Sequence, residues 1–169
     1  VDAYGVAYFW DLSDLRLLEP NRSVAVEAHG EWGARLLREL EAVQRSSWGF
    51  FVPPRLGLHV VLVARLGSEA VGSAYLNRLN ANVDYGAHVV RRLRRSRVGT
   101  RLLHEAASIA RGLGHGVMSV VRVFRRVAGT AADRRAVAFY LANCPTWRFG
   151  VLRLRRGSGA CRTRGASAP

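Results

Sequence analysis

Between His59 and Val90 the apolar residues come in short blocks separated by turn chemistry. His59–Arg65 is rich in valine and leucine, Leu66-Gly67-Ser68-Glu69 carries turn residues, and Ala70–Leu79 is apolar again, which predicts a hairpin. Asn80–Asn82 makes another turn and Val83–Val90 a third strand, giving an antiparallel meander. From Ser96 the spacing becomes helical. Val98, Leu102, Leu103, Ala106, Ile109, Ala110 and Leu113 share one face, and Gly112 and Gly114 close the element. Val117–Phe124 is almost continuously apolar, the pattern of a strand buried on both sides. Ala132–Ala142 reads as a second helix stopped by Pro145, and Trp147–Leu154 alternates as a last strand. Upstream, Tyr4–Trp10 predicts a strand, and Gly30–Arg45 an amphipathic helix with Trp32, Leu36, Leu37, Leu40 and Val43 on one face. Asp11–Arg22 has no clear period. The order of elements predicts an α+β (mixed α/β) layer with helices packed on a sheet.

Length and composition add bounds. The chain has 169 residues, 49% of them hydrophobic and 22% charged, enough for one domain with a real core. We expect a single domain over residues 1–156 and a flexible tail over 157–169, where Gly, Ser, Ala and Arg dominate. The two cysteines, Cys144 and Cys161, are too few for a disulfide framework and lack zinc spacing, so no metal is expected. Apolar runs are too short to span a bilayer and no signal peptide is visible, so the expected location is the cytoplasm. The formal net charge is +14 and every basic residue is arginine. The arginine, Ala, Gly, Val and Leu usage matches GC-rich codons of a bacterial source, which discounts part of that charge. The surface still attracts polyanions.

One stretch carries candidate chemistry. After the strand ending at Val89-Val90, the basic loop Arg91–Arg97 leads into a helix near Gly99. A helix start leaves backbone N–H groups unpaired where the macrodipole favours negative charge, which makes an anion site suited to phosphate. Gly99 would let a phosphate approach the backbone, and the arginines add planar donors. A left-handed dihedral at Arg97 would cost strain.

These residues resemble the pyrophosphate loop of the GCN5-related N-acetyltransferase superfamily, Gln/Arg-x-x-Gly-x-Gly/Ala. Arg94, Arg95, Ser96, Arg97, Val98 and Gly99 occupy the matching positions, with Arg97 in place of the central glycine and Arg91 in place of a corner proline. Asp133-Arg134-Arg135-Ala136-Val137-Ala138-Phe139-Tyr140 resembles the family's Asn-x-x-Ala-x-x-Phe-Tyr helix, and the Leu66–Val71 turn is similar to its second-to-third strand turn. The resemblance covers roughly residues 58 to 150 and implies a central, mostly antiparallel twisted sheet flanked by helices. It implies direct acyl transfer from a thioester, acetyl-CoA or another acyl-CoA, to the amine of a small molecule. Tyr140 would protonate the departing thiolate. Val89 and Val90 would hold the pantetheine arm and polarise the thioester carbonyl, residues Arg94 to Thr100 would hold the pyrophosphate, and Asp133 and Phe139 would contact the cofactor arm. Asp84, Tyr85 and His88 on the preceding strand are candidates for handling the amine proton. Strand alternation puts Tyr85, Ala87 and Val89 on one face and Asp84, Gly86 and His88 on the other, unless a bulge intervenes. The family continues after its last helix with two strands. Here only Trp147–Leu154 is visible, so the acceptor site is abbreviated or completed by a partner chain. A homodimer is common in the family.

Two other readings stay open. An acidic acyl carrier protein could deliver the thioester in a biosynthetic pathway, since a basic surface complements it. A nucleic-acid-binding protein fits the charge alone, but no aromatics are interleaved with the basic runs as a stacking platform needs. The aromatic group Trp48, Phe50 and Phe51 reads as core or pocket wall, and Cys144 as a structural helix-end residue.

Overall fold

The computed structural model describes residues 3–124 and 130–153. Strand β1 (Ala3–Asp11) is followed by β2 (Ala25–His29), helix α1 (Ala34–Trp48), and the meander β3 (His59–Leu66), β4 (Glu69–Asn77) and β5 (Val83–Val89). Then come α2 (Val98–Gly112), β6 (Val117–Val123), α3 (Ala131–Ala142) and β7 (Trp147–Arg153). The expected tail, residues 157–169, lies outside the described residues. No helix among the described residues is long and apolar enough to cross a membrane, and no cluster of acidic, histidine or cysteine side chains there is placed to hold a metal.

The strands form two antiparallel sheets, ordered β2-β3-β4-β5 and β6-β1-β7. Helices cover both faces of the first. Leu62, Ala64, Leu76 and Val83 share a core with Leu102, Leu103 and Ala106 of α2. Val61, Val63 and Tyr75 pack against Leu36 and Leu40 of α1. That double cover explains why β3 and β4 read as continuous apolar runs. Gly72 lets α2 approach: a Cβ there would stand 3.0 Å from Val98 and 3.2 Å from Leu102. Helix α1 ends at Gly49, whose left-handed backbone (φ 88°) returns an N–H to the Arg45 carbonyl.

Three elements depart from the expectation. β2 has no strong sequence signal, because it is five residues long, carries Glu27 and His29, and pairs only with β3 at the sheet edge. β6 is buried on one side only. Met118 and Val120 face the core, while Val117, Val121 and Val123 are exposed. Thirdly, the sheet that holds β7 takes its middle strand from the other end of the chain. β1 lies between β6 and β7 and pairs antiparallel with both, Tyr8 opposite Val120 and Arg148. Sequence order hides this pairing, which joins residues more than a hundred positions apart.

The two sheets meet at one point. β5 and β6 run parallel and touch through the Asn82–Ser119 bridge, where Ser119 N–H donates to the Ala81 carbonyl at 3.1 Å. Beyond it they belong to different sheets. The opening between them is where the candidate site lies.

Candidate functional site

Strand β5 carries a bulge. Ser73 pairs with His88 and Tyr75 with Asp84, so Tyr85, Gly86 and Ala87 stand opposite Ala74 alone. Tyr85 (φ 62°) and Gly86 (φ 82°) absorb the extra length with left-handed backbone. Two extra residues keep the parity outside the bulge. Asp84 and His88 share the α1 face and Val83 and Val89 the α2 face, as alternation predicts, but the bulge takes Tyr85 and Ala87 out of that pattern. It presents the Ala87 N–H to α3.

Tyr140 receives it. The Ala87 N–H donates to Tyr140 Oη at 3.1 Å, and no described residue accepts the phenol's own proton. Tyr140 is 3% exposed, and burial raises its pKa while the Ala87 bond and Arg122 pull it down. Its ring lies 5.2 Å from Tyr8 and 4.9 Å from Phe139. Gly86 makes room for the hydroxyl, since a Cβ there would stand 2.5 Å from Oη. Val90 N–H donates to the Val71 carbonyl of β4 at 3.0 Å, so strand alternation turns the Val89 N–H to the open side.

A cavity of about 810 Å³ occupies the opening between the sheets. Tyr140, Tyr85, Ala87, His88 and Val89 line it. So do Arg94, Arg95, Arg97, Val98, Gly99 and Thr100, with Arg135 and Phe139 of α3. The start of α2 is therefore part of the wall. Its N-cap, Arg97, makes no side-chain cap bond, and the first helical bond is Arg101 N–H to the Arg97 carbonyl at 3.0 Å. The amides ahead of it have no helical acceptor. Burial, with Arg135 and Arg91 nearby, pushes the Arg94 guanidinium below its ordinary pKa. Crowded cations beside free amides form a site that an anion relieves.

Four of the sequence-derived candidates lie outside the cavity lining. Asp84 accepts from His59 Nε2 at 2.9 Å, Asn77 Nδ2 at 3.1 Å and Asn82 Nδ2 at 2.5 Å, while Ser119 Oγ donates to Asn82 at 3.0 Å. It ties β3, β4 and β5 to β6 just before the sheets part. Asp133 is fully buried, completes a capping box with Thr130, and accepts from Arg122 Nη2 at 2.6 Å. These bonds support the cavity wall. Ser96 Oγ donates to the Leu93 carbonyl, and the Val90 N–H is spent on β4. Gly99 has a second reason for lacking a side chain: a Cβ there would stand 2.8 Å from the Phe139 ring.

His88 and Tyr85 do line the cavity. His88 is 5% exposed, its ring lies 4.5 Å from that of Trp48, and its Nε2 is buried without a hydrogen-bond partner among the described residues. Burial lowers its pKa to about 4, against a bond that the imidazole donates to the Tyr85 backbone, which raises it, with Arg122 lowering it further. It is neutral at pH 7. Tyr85 is 41% exposed, with its ring edge on Tyr75. Of the aromatic group, Trp48 lines the cavity, Phe51 packs on the α1 core and Phe50 is exposed. Sequence reasoning missed Gly86, Arg122 and Arg135. Only the charge of Arg122 in an apolar strand signalled the second, and Arg135 stood inside the helix motif without an assigned role.

The loop accepts the strain anticipated at Arg97. Arg95 (φ 67°) and Arg97 (φ 60°) are both left-handed, and Arg97 Nη1 donates to the Glu19 carbonyl at 3.2 Å. Left-handed backbone costs a non-glycine residue about 1–2 kcal/mol, and glycine returns about 0.5–1 kcal/mol of that as unfolded-chain entropy. Arg97→Gly is expected to stabilise the fold by about 0.5–1 kcal/mol in urea unfolding. A loss of stability would mean that the Glu19 bond outweighs the strain.

No model of a known protein family matches the chain, and no curated protein does. Solved structures do. A functionally unknown conserved protein from Staphylococcus epidermidis superposes with a TM-score of 0.59 at 14% identity, over 89% of this chain and 61% of its own. A GCN5-related N-acetyltransferase from Kribbella flavida gives 0.50 at 14%, over 78% and 52%. One from Sphaerobacter thermophilus gives 0.51 at 17%, over 81% and 48%. This chain thus spans about half to three fifths of the length of the structures it matches. With the parted β5 and β6, the bulge and the basic helix start between them, these likenesses establish the architecture: the chain has the fold of the GCN5-related N-acetyltransferases.

Proposed function

We propose that this protein is an N-acyltransferase that moves an acyl group from an acyl-CoA thioester, acetyl-CoA as the default, directly to the amine of a small molecule. One observation carries the reading. One cavity holds a buried phenol whose proton no described residue accepts and free helix amides among four arginines, along the open edge of a strand. A donor that carries both a diphosphate and a thioester matches that combination.

The residues divide the work by position. The α2 amides with Arg94, Arg95, Arg97 and Arg135 hold the diphosphate. The Val89 N–H faces the thioester carbonyl and favours the charge that develops on its oxygen. The amine attacks as the free base, forming C–N as C–S breaks, and Tyr140 gives its proton to the leaving sulfur. His88 is too weak a base to keep a proton at neutral pH. Its buried Nε2 serves as a hydrogen-bond acceptor that orients the amine or a water, and the amine's surplus proton passes to solvent.

A second reading is favoured by the net charge of +14 and by the exposed Arg91, Arg92 and Arg95 beside the cavity mouth. An acidic carrier protein bearing the acyl thioester could dock there, and activity would then fall steeply with salt.

Thermal unfolding with CoA, acetyl-CoA and ATP at two salt concentrations tests the donor. At one hundred times Kd the native state gains about 2.7 kcal/mol. That corresponds to roughly 5–10 °C for a chain of this size. We expect such a shift with both CoA ligands and a smaller, salt-sensitive one with ATP. No shift, or equal shifts with all three, removes free acyl-CoA as donor. Charge-dependent binding of a carrier protein or of nucleic acid would then decide between the remaining readings.

A further inference from the structure

Strand β6 places Met118, Val120 and Arg122 on its inward row. The first two are core residues, and packing alone calls for a third apolar side chain. Arg122 instead lines the cavity with Tyr140, and its side chain is 17% exposed. Asp133 takes Nη2 and is itself locked by the capping box, so it anchors one side of the guanidinium. Nε is buried and has no hydrogen-bond partner among the described residues. Asp133 of α3 pairs with it, its charge acts on Tyr140 of α3, Tyr8 of β1 and His88 of β5, and Arg135 and Tyr85 line the same cavity. Only Asp133 is acidic, and it stands outside the cavity lining. The charge of Arg122 depresses Tyr140, His88 and Tyr8 alike, against burial that raises both tyrosines. A buried ion pair is a poor source of stability compared with apolar residues of the same volume, so packing does not account for this arginine.

We propose that Arg122 is a further catalytic residue, the cation that stabilises the negative charge on the donor sulfur as the carbon–sulfur bond breaks. The proposal rests on the acyl-CoA reading. The amine lone pair forms the C–N bond, the C–S electron pair leaves with sulfur, and the Tyr140 proton completes the thiol. The surplus amine proton goes to solvent, from which the phenolate is reprotonated. Arg122 makes both transient anions, thiolate and phenolate, less costly.

The test needs no acceptor amine. The affinities of CoA and of desulfo-CoA, which lacks the sulfur, are measured on the full chain from about pH 7 to above the pKa of the free CoA thiol. If Arg122 faces the sulfur, the bound thiol titrates below its free value. CoA then gains affinity over desulfo-CoA as pH rises between the two, about tenfold for each unit of depression. We expect a gap of at least about tenfold in the wild type, part of it in Arg122→Lys, and none in Arg122→Met. A bound thiolate should also appear in the ultraviolet spectrum at a lower pH in the wild type than in Arg122→Met. Parallel pH curves for the two ligands in the wild type overturn the proposal whatever the variants do, and so does a gap that persists in Arg122→Met. If Arg122→Met does not fold, Arg122→Gln replaces it. Failure of both ligands to bind the wild type at any pH is the separate result that brings down the acyl-CoA reading, and this proposal with it.

Discussion

Tyr140→Phe is expected to lower the rate of acyl transfer by about 10²–10³-fold while leaving donor affinity within about twofold. Tyr140 is the buried phenol of the cavity, no described residue accepts its proton, and its oxygen is aimed by the Ala87 N–H. Removing the oxygen removes the proton donor to the thiolate but none of the α2 amides or arginines that hold the diphosphate. The variant also leaves the Ala87 N–H without its acceptor, at a cost of about 1–3 kcal/mol in stability. Single-turnover rates and CoA dissociation constants, read beside unfolding midpoints, separate the two effects. An unchanged rate with a lowered midpoint would make Tyr140 a packing residue and leave solvent as the acid.

Gly86→Ala is expected to damage both stability and rate. The residue has φ 82°, and an added Cβ would meet Tyr140 Oη at 2.5 Å. Left-handed backbone costs alanine about 1–2 kcal/mol, and the overpacking about 1–3 kcal/mol more. Alanine's smaller unfolded-chain entropy returns about 0.5–1 kcal/mol, so we expect about 1–4.5 kcal/mol of destabilisation by urea unfolding. The rate should fall about as far as in Tyr140→Phe, because the hydroxyl must leave its place between Ala87 and the cavity. The pair makes a cycle. In Gly86→Ala combined with Tyr140→Phe the clashing oxygen is gone, so the double variant should be less destabilised than the sum of the singles. Additive effects would mean that backbone strain alone accounts for Gly86.

Both predictions depend on how the site is assembled. Asp84, Asn82 and Ser119 hold β5 and β6 together at one point, and the bulge then bends β5 away. Asp133 holds Arg122 and starts α3, so the helix that carries Phe139 and Tyr140 is registered against β6. Two residues singled out for chemistry, Asp84 and Asp133, thus shape the cavity without lining it.

Much of this was open to reading along the chain. The meander, both long helices, the basic loop and the tyrosine helix follow from local signals: period, turn residues, caps, and a charged loop before a helix start. Local chemistry acts between neighbours and leaves its mark on neighbours in sequence. What the tertiary structure decided involves residues far apart. β1 was visible as a strand, but not that it fills the slot between β6 and β7, because pairing energy does not depend on order along the chain. The length of β5 gave no sign of its bulge. Its left-handed residues are one glycine, which any turn would permit, and one tyrosine, which local preference places elsewhere. The glycines at 86 and 99 are explained by Tyr140 and Phe139, side chains 40 or more positions away that need the space of a missing Cβ. The charge of Arg122 was plain in the sequence. That it points inward, toward a cavity, depended on which face of β6 the rest of the molecule left uncovered.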